Sequence, residues 1–206
     1  RELADTNVGK SLLDGFGYVR THPAILMLVL IAVVPTIFGQ PYQTMLTVFA
    51  YDVLNIGPTG LGLLTSCAAL GGVLGALLVS LLRGRATNGK AMLFFMIAFG
   101  ATLAAFAYSS WTILSAVLVL GVGTMHMAYN VSNNTILQLS VPDSYRGRVM
   151  SVLFLKKGLM SVGTALAGAL AAAIGVQAAM ASMASIIILF GGALWVAVPA
   201  FRRMRA

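Results

Sequence analysis

The sequence predicts an all-α membrane protein of six transmembrane helices. Three observations carry that prediction: the composition, six apolar runs of spanning length, and a strict alternation of basic loops between them. Hydrophobic residues make up 59% of the 206 and charged residues 9%, with a mean hydropathy of +0.94. Thirteen Lys and Arg with five Asp and Glu are too few to clothe a soluble fold of this length, because a dispersed surface carries roughly a quarter to a third charged residues. Lipid must be the solvent for most of the chain.

Crossing the hydrocarbon takes about 20 mostly apolar residues. Runs of roughly that length occupy 24–50, 59–82, 91–107, 112–139, 149–173 and 178–199. Helix is the state they must take, since an open sheet leaves backbone groups unpaired in lipid and none of the runs alternates with period two. Ahead of the first run, Leu12, Leu13, Phe16 and Val19 recur at helical spacing beside Asp14 and Arg20. That pattern fits a short helix in the membrane interface or a plain linker. The chain divides into a lead-in at 1–23, a six-helix domain at 24–199 and a basic tail at 200–206.

Basic residues sort to one side of the membrane. Arg1, Lys10 and Arg20 precede the first span; Arg83, Arg85 and Lys90 separate the second and third; Arg146 and Arg148 separate the fourth and fifth; Arg202, Arg203 and Arg205 follow the sixth. The loops around 51–58, 108–111 and 174–177 carry no Lys or Arg. Basic loops stay cytoplasmic during insertion, so both ends are expected there, as an even span number requires. A net charge of +8 distributed over short loops offers no clustered face for nucleic acid; membrane lipids are the partners expected instead. The single cysteine, Cys67, lies in an apolar run and supports no disulfide framework. With no initiating Met and no cleavable signal pattern, the sequence reads as beginning mid-protein.

Two spans carry polar stripes. The first holds Thr36, Gln40, Gln43, Thr44 and Thr47 within an arc of about 100° if its helix is continuous. Pro35 and Pro41 lie in the same stretch, and each removes a backbone donor, so a kink or break is expected at mid-membrane. The fourth holds His126, Tyr129, Asn130, Asn133 and Asn134 over roughly 140° of its surface, with Gln138 a turn later. Amides in a membrane must find neighbouring helices, cavity water or a substrate, and five polar residues exceed what one helix contact needs. A hydrated pathway is the reading favoured for the stripe. On the fifth span Lys157 shares a face with Ser161, Thr164 and Gly168, while Lys156 points about 100° away. Lys157 either faces the cavity, where it would recognise an anionic group, or snorkels to the cytoplasmic surface. Small residues crowd the second and fifth spans, among them Gly71, Gly72, Gly75, Gly163 and Gly168, as close helix packing in lipid demands.

Other chemistries are excluded by what the residues cannot assemble. His22 is the only other histidine beside His126, and no Asp or Glu lies inside a span, so no metal site is expected. No glycine-rich turn leads into Gly-Lys-Ser or Gly-Lys-Thr, and no hydrolase constellation is present. Neither a cofactor nor enzymatic activity is expected.

Several runs carry a family resemblance: Gly15-Phe16-Gly17-Tyr18-Val19-Arg20-Thr21-His22-Pro23, Phe38-Gly39-Gln40-Pro41-Tyr42, Val48-Phe49-Ala50 and Gly60-Leu61-Gly62-Leu63-Leu64. The most specific is Ser132-Asn133-Asn134-Thr135-Ile136-Leu137-Gln138, followed by Val141-Pro142-Asp143-Ser144-Tyr145-Arg146-Gly147-Arg148-Val149-Met150-Ser151. Together they resemble the C-terminal half of bacterial major facilitator exporters, in the branch of the enterobactin exporter and related drug-efflux proteins. The resemblance implies half of a twelve-helix carrier of the bacterial inner membrane, partnered by a missing N-terminal six-helix half. It implies alternating-access export of a small amphipathic substrate such as a siderophore, drug or acidic metabolite. Lipid or lysophospholipid translocation and a non-transporting membrane scaffold are the alternatives. It also implies a cytoplasmic gate at Asp143, Arg146 and Arg148, where Pro142 stops one helix and Asp143 can cap the next. The loop 83–90 lacks the Asp of the superfamily's acidic gating motif, and Lys156-Lys157 stands where apolar or aromatic residues are usual.

Overall fold

The computed structural model describes residues 20–21, 23–82, 86, 88–142 and 156–197; side chains at 23, 24, 156 and 157 lie outside that description. Every element among the described residues is helical. We label them α1 (Pro23–Phe38), α2 (Tyr42–Val48), α3 (Gly57–Leu81), α4 (Gly89–Ala107), α5 (Thr112–Ser140), α6 (Lys156–Ile174) and α7 (Val176–Ala197), with a π-turn at Phe49–Val53. Five helical stretches are long and apolar enough to cross a membrane, the first being the composite Ile25–Val53. The sixth, apolar over Gly158–Ile174, is shorter, and the expected start of that span at 149–155 lies outside the described residues.

Local chemistry sets the ends. Asn88 caps α4 by accepting from the Ala91 amide at 2.8 Å. Pro142 stands two residues past α5, and the residue before it, Val141, is already extended at φ −105° and ψ 126°. The first span turns into α3 through Asn55 and Gly57, both left-handed at φ 53° and 61°; asparagine is one of the few non-glycine residues that tolerates this.

The expected break in the first span falls at 39–41, between α1 and α2. Pro35 itself stays inside α1, and its carbonyl accepts from both Gly39, at 2.8 Å, and Gln40, at 3.1 Å. That doubled bond ends α1, and helix resumes at Tyr42. The polar stripe therefore does not run on as a single face: Thr36 is buried, Gln40 half-buried, and Gln43, Thr44 and Thr47 exposed.

α5 sits at the centre, packed on α3 and α4, while α7 joins α4 to α6 and α6 lies along α1. Its contact with α3 is made by missing side chains. A Cβ added at Gly71 would collide with the Leu120 carbonyl, one at Gly75 with the Thr124 carbonyl, and one at Gly123 with the Ala68 carbonyl. This is how helices gain van der Waals contact in lipid, where burying apolar surface adds little. Gly62, Gly158 and Gly168 have no neighbour within 4 Å at the same test, so only part of the small-residue pattern serves packing.

Candidate transport-pathway site

Where the first span breaks, three elements bring rings together. Gly39 leaves room for Phe99 of α4, whose ring would touch any side chain placed there. Phe99 lies 4.9 Å from the His126 ring and 6.3 Å edge-on from Tyr42, and Tyr42 stands edge-on to His126 at 6.3 Å. Tyr42 and Phe99 are buried, so the apolar floor of the site is closed. His126 is half-buried and forms its accessible edge.

Asn130 fixes that edge. Its Nδ2 donates to the His126 carbonyl at 3.0 Å and meets His126 Nε2 at 2.8 Å. A carbonyl oxygen only accepts, so the amide nitrogen, and not its oxygen, must face this way. His126 Nε2 is then the unprotonated acceptor and the ring proton resides on Nδ1.

The two prolines explain two further contacts. A proline removes the donor that the carbonyl four residues earlier would use, so Pro35 frees the carbonyl of Ile31 and Pro41 that of Ile37. Tyr129, buried on α5, donates its hydroxyl to the Ile31 carbonyl at 2.6 Å across 98 residues of sequence. Against the Ile37 carbonyl stands Gly163 of α6, too close for any side chain at that position.

The sequence-predicted site residues thus separate into groups. His126 and Asn130 are joined at the break, and Asn134, half-buried, follows Asn130 one turn on. Thr36 and Tyr129, expected along the pathway, are buried with their hydroxyls committed to backbone carbonyls, Thr36 to Ala32 at 2.8 Å. Thr44 is exposed but bonds the Pro41 carbonyl at 2.8 Å. Gln43, Gln138 and Ser161 are exposed. Asn133 is 1% exposed, and neither atom of its amide finds a partner among the described residues; Gln40 Oε1 and Ser132 Oγ share that condition. The Lys157 side chain and the gate residues Asp143, Arg146 and Arg148 lie outside the described residues. Phe99 was not legible as a site residue, because it sits in an apolar run that reads as core, and Tyr42, between Pro41 and Gln43, carries no mark that sets its ring against His126. No group of three or more potential metal ligands occurs among the described residues.

A broken first span facing a polar central helix defines a multi-pass membrane protein of the carrier type. The sequence profile of the transmembrane secretion effector family matches residues 1–205, and the chain belongs to that family of major facilitator transporters. It is 27% identical over 192 residues to the multidrug efflux pump Tap of Mycolicibacterium fortuitum, a match covering 93% of this chain and 47% of that protein. The chain therefore spans about half the length of the curated relative it matches. No solved structure matches it.

Proposed function

We propose that this chain is the C-terminal half of an exporter of the bacterial inner membrane, which carries a small amphipathic molecule by alternating access. Both ends face the cytoplasm in this reading, and the other six-helix half completes the cavity. The observation that carries the reading is the break at 39–41, set beside the half-exposed His126–Asn130 pair. Broken helices line binding sites in carriers because irregular backbone is tolerated only beside protein or a cavity.

The pathway runs along His126, Asn130 and Asn134 of α5 and Gln43 and Thr44 of α2, with Ser161 and Lys157 contributed from α6. Asp143, Arg146 and Arg148 close the cytoplasmic end. Amide and imidazole groups suit a substrate with several hydrogen-bonding positions. Lys157 adds a preference for an acidic or polyphenolic one over a lipophilic cation, since the carboxylate within the described spans, Asp52, stands one residue from the end of the first.

Secretion by cells lacking their main exporters tests this, with the intact protein expressed as wild type, Asn130→Leu or Lys157→Ala at matched membrane abundance. The expected result is that one metabolite falls about tenfold in the medium for Asn130→Leu, corresponding to loss of ~1.4 kcal/mol of interaction, and falls also for Lys157→Ala. Equal secretion from all three would overturn export and leave lipid translocation or a scaffold.

A further inference from the structure

We infer that His126 Nε2 is a proton-binding site in the pathway, and that taking up a proton there releases the Asn130 carboxamide from its held orientation. The inference rests on the transport reading only for its meaning; the chemistry follows from the local geometry.

In the described state Asn130 Nδ2 makes two contacts with one residue, to Nε2 at 2.8 Å and to the backbone carbonyl at 3.0 Å. Both require donated hydrogens, and an amide nitrogen has two. The arrangement is complete when Nε2 offers a lone pair. Protonation converts that lone pair into an N–H bond and places a positive charge on the ring, so two donors now face each other at 2.8 Å. The Asn130–Nε2 bond breaks, and the amide must either turn its oxygen toward Nε2, abandoning the carbonyl, or swing away from His126. Either movement presents Asn130 differently to whatever occupies the pathway. One proton is thereby exchanged for one reoriented hydrogen-bonding group.

The surroundings leave this exchange to His126. From the first span the titratable group in ring contact is Tyr42, and from α4 the facing side chain is Phe99. On α5 itself Tyr129 has its hydroxyl on Ile31. Among the described residues the Asp and Lys side chains of the spans stand at their ends, Asp52 in the last turn of the first and Lys90 in the first turn of α4. α3 contributes Cys67 as its titratable side chain, and α7 contributes none. The lysines of α6 stand in its first turn, their side chains outside the described residues. Imidazole is the side chain whose ordinary titration falls in the physiological range.

The test uses the intact protein in lipid nanodiscs, labelled with ¹⁵N at histidine ring and asparagine side-chain nitrogens. His126→Gln and Asn130→Leu assign the signals by their loss. At pH 8.5 the His126 ring is expected as the neutral form with its proton on Nδ1. On acidification to pH 5.5 it becomes the imidazolium, and the Asn130 side-chain signal moves over the same interval. In His126→Gln that Asn130 movement is lost. A His126 ring that stays neutral down to pH 5.5 overturns the inference, and so does an Asn130 signal that ignores the titration or that still moves in His126→Gln. The variants' circular dichroism and elution as a single species confirm that both are folded, and should His126→Gln fail that control, His126→Phe takes its place. The outcome is independent of secretion. Titration as described with unchanged secretion by Asn130→Leu supports the proton site and overturns the transport reading; lost secretion without titration does the reverse.

Discussion

On the side of α5 that meets α3, the closest contacts are backbone to backbone, opened by Gly71, Gly75 and Gly123. On the side that meets the first span they are side chain to backbone, through Tyr129, and ring to ring, through His126. One helix thus holds two of its neighbours by opposite means. The glycine seam has no polar bond to exchange and no side chain to rotate, so it fits one distance only. The polar face meets the first span through a directional hydrogen bond at Tyr129 and a ring contact at His126. In lipid, where apolar burial does not drive helices together, this difference separates the contact suited to stay fixed from the contact suited to rearrange.

The contrast is broken most severely at the seam. Gly75→Leu drives a branched side chain into the Thr124 carbonyl and forces α3 away from α5. A loss of about 3 kcal/mol or more is expected, seen as collapse of the yield of monodisperse intact protein on size exclusion. Normal yield and melting temperature would show that the seam is not close-packed.

A smaller effect is expected on the other face. Tyr129→Phe keeps the ring and removes the donor, leaving the Ile31 carbonyl unpaired at a cost of about 1–2 kcal/mol. Pairing it with Pro35→Ala sharpens the point, because residue 35 then regains an N–H for the same carbonyl. In the Pro35→Ala background Tyr129→Phe should lower the melting temperature by less than half as much as in wild type. Equal losses in both backgrounds would mean that the hydroxyl does not serve the proline-freed carbonyl.

The smallest expected change is a gain. Asn133, one turn from Tyr129 and Asn130, is buried with both amide atoms unpartnered among the described residues, whereas Asn130 is bonded twice. Asn133→Leu removes an amide that is costly to bury and should raise the melting temperature of the intact protein by about 2 °C for each kcal/mol recovered. The same substitution at Asn130 should not. A lowered melting temperature for Asn133→Leu would show that its amide is satisfied in the folded protein.

Much of this was legible beforehand. Runs of apolar residues and the scarcity of charge require membrane helices, because neither an exposed backbone nor an uncharged soluble surface is tolerable. Pro35 and Pro41 announce the break, and they even name the two carbonyls that lose their donors, since a helix bonds at a spacing of four. His126 and Asn130, also four apart, were bound to share a face. The glycines at 71 and 75 likewise announced a seam, though not which helix it meets.

The answering groups were not legible. That Ile31 is met by Tyr129, 98 residues away, and Ile37 by Gly163 depends on how α5 and α6 lie against the first span, which no local spacing encodes. Phe99 carries no mark distinguishing it from its apolar neighbours until Gly39 admits its ring. Thr36 and Gln43 part company because the break turns one helical face into two. The sequence by itself determined the class of fold, the location of the break and the polar positions near it, because these follow from solvent, backbone valence and helical period. Which polar groups are spent on holding the helices, and which stay available at the pathway's edge, was decided by tertiary packing alone, because hydrogen bonds are allotted by distance and direction between elements remote in the chain.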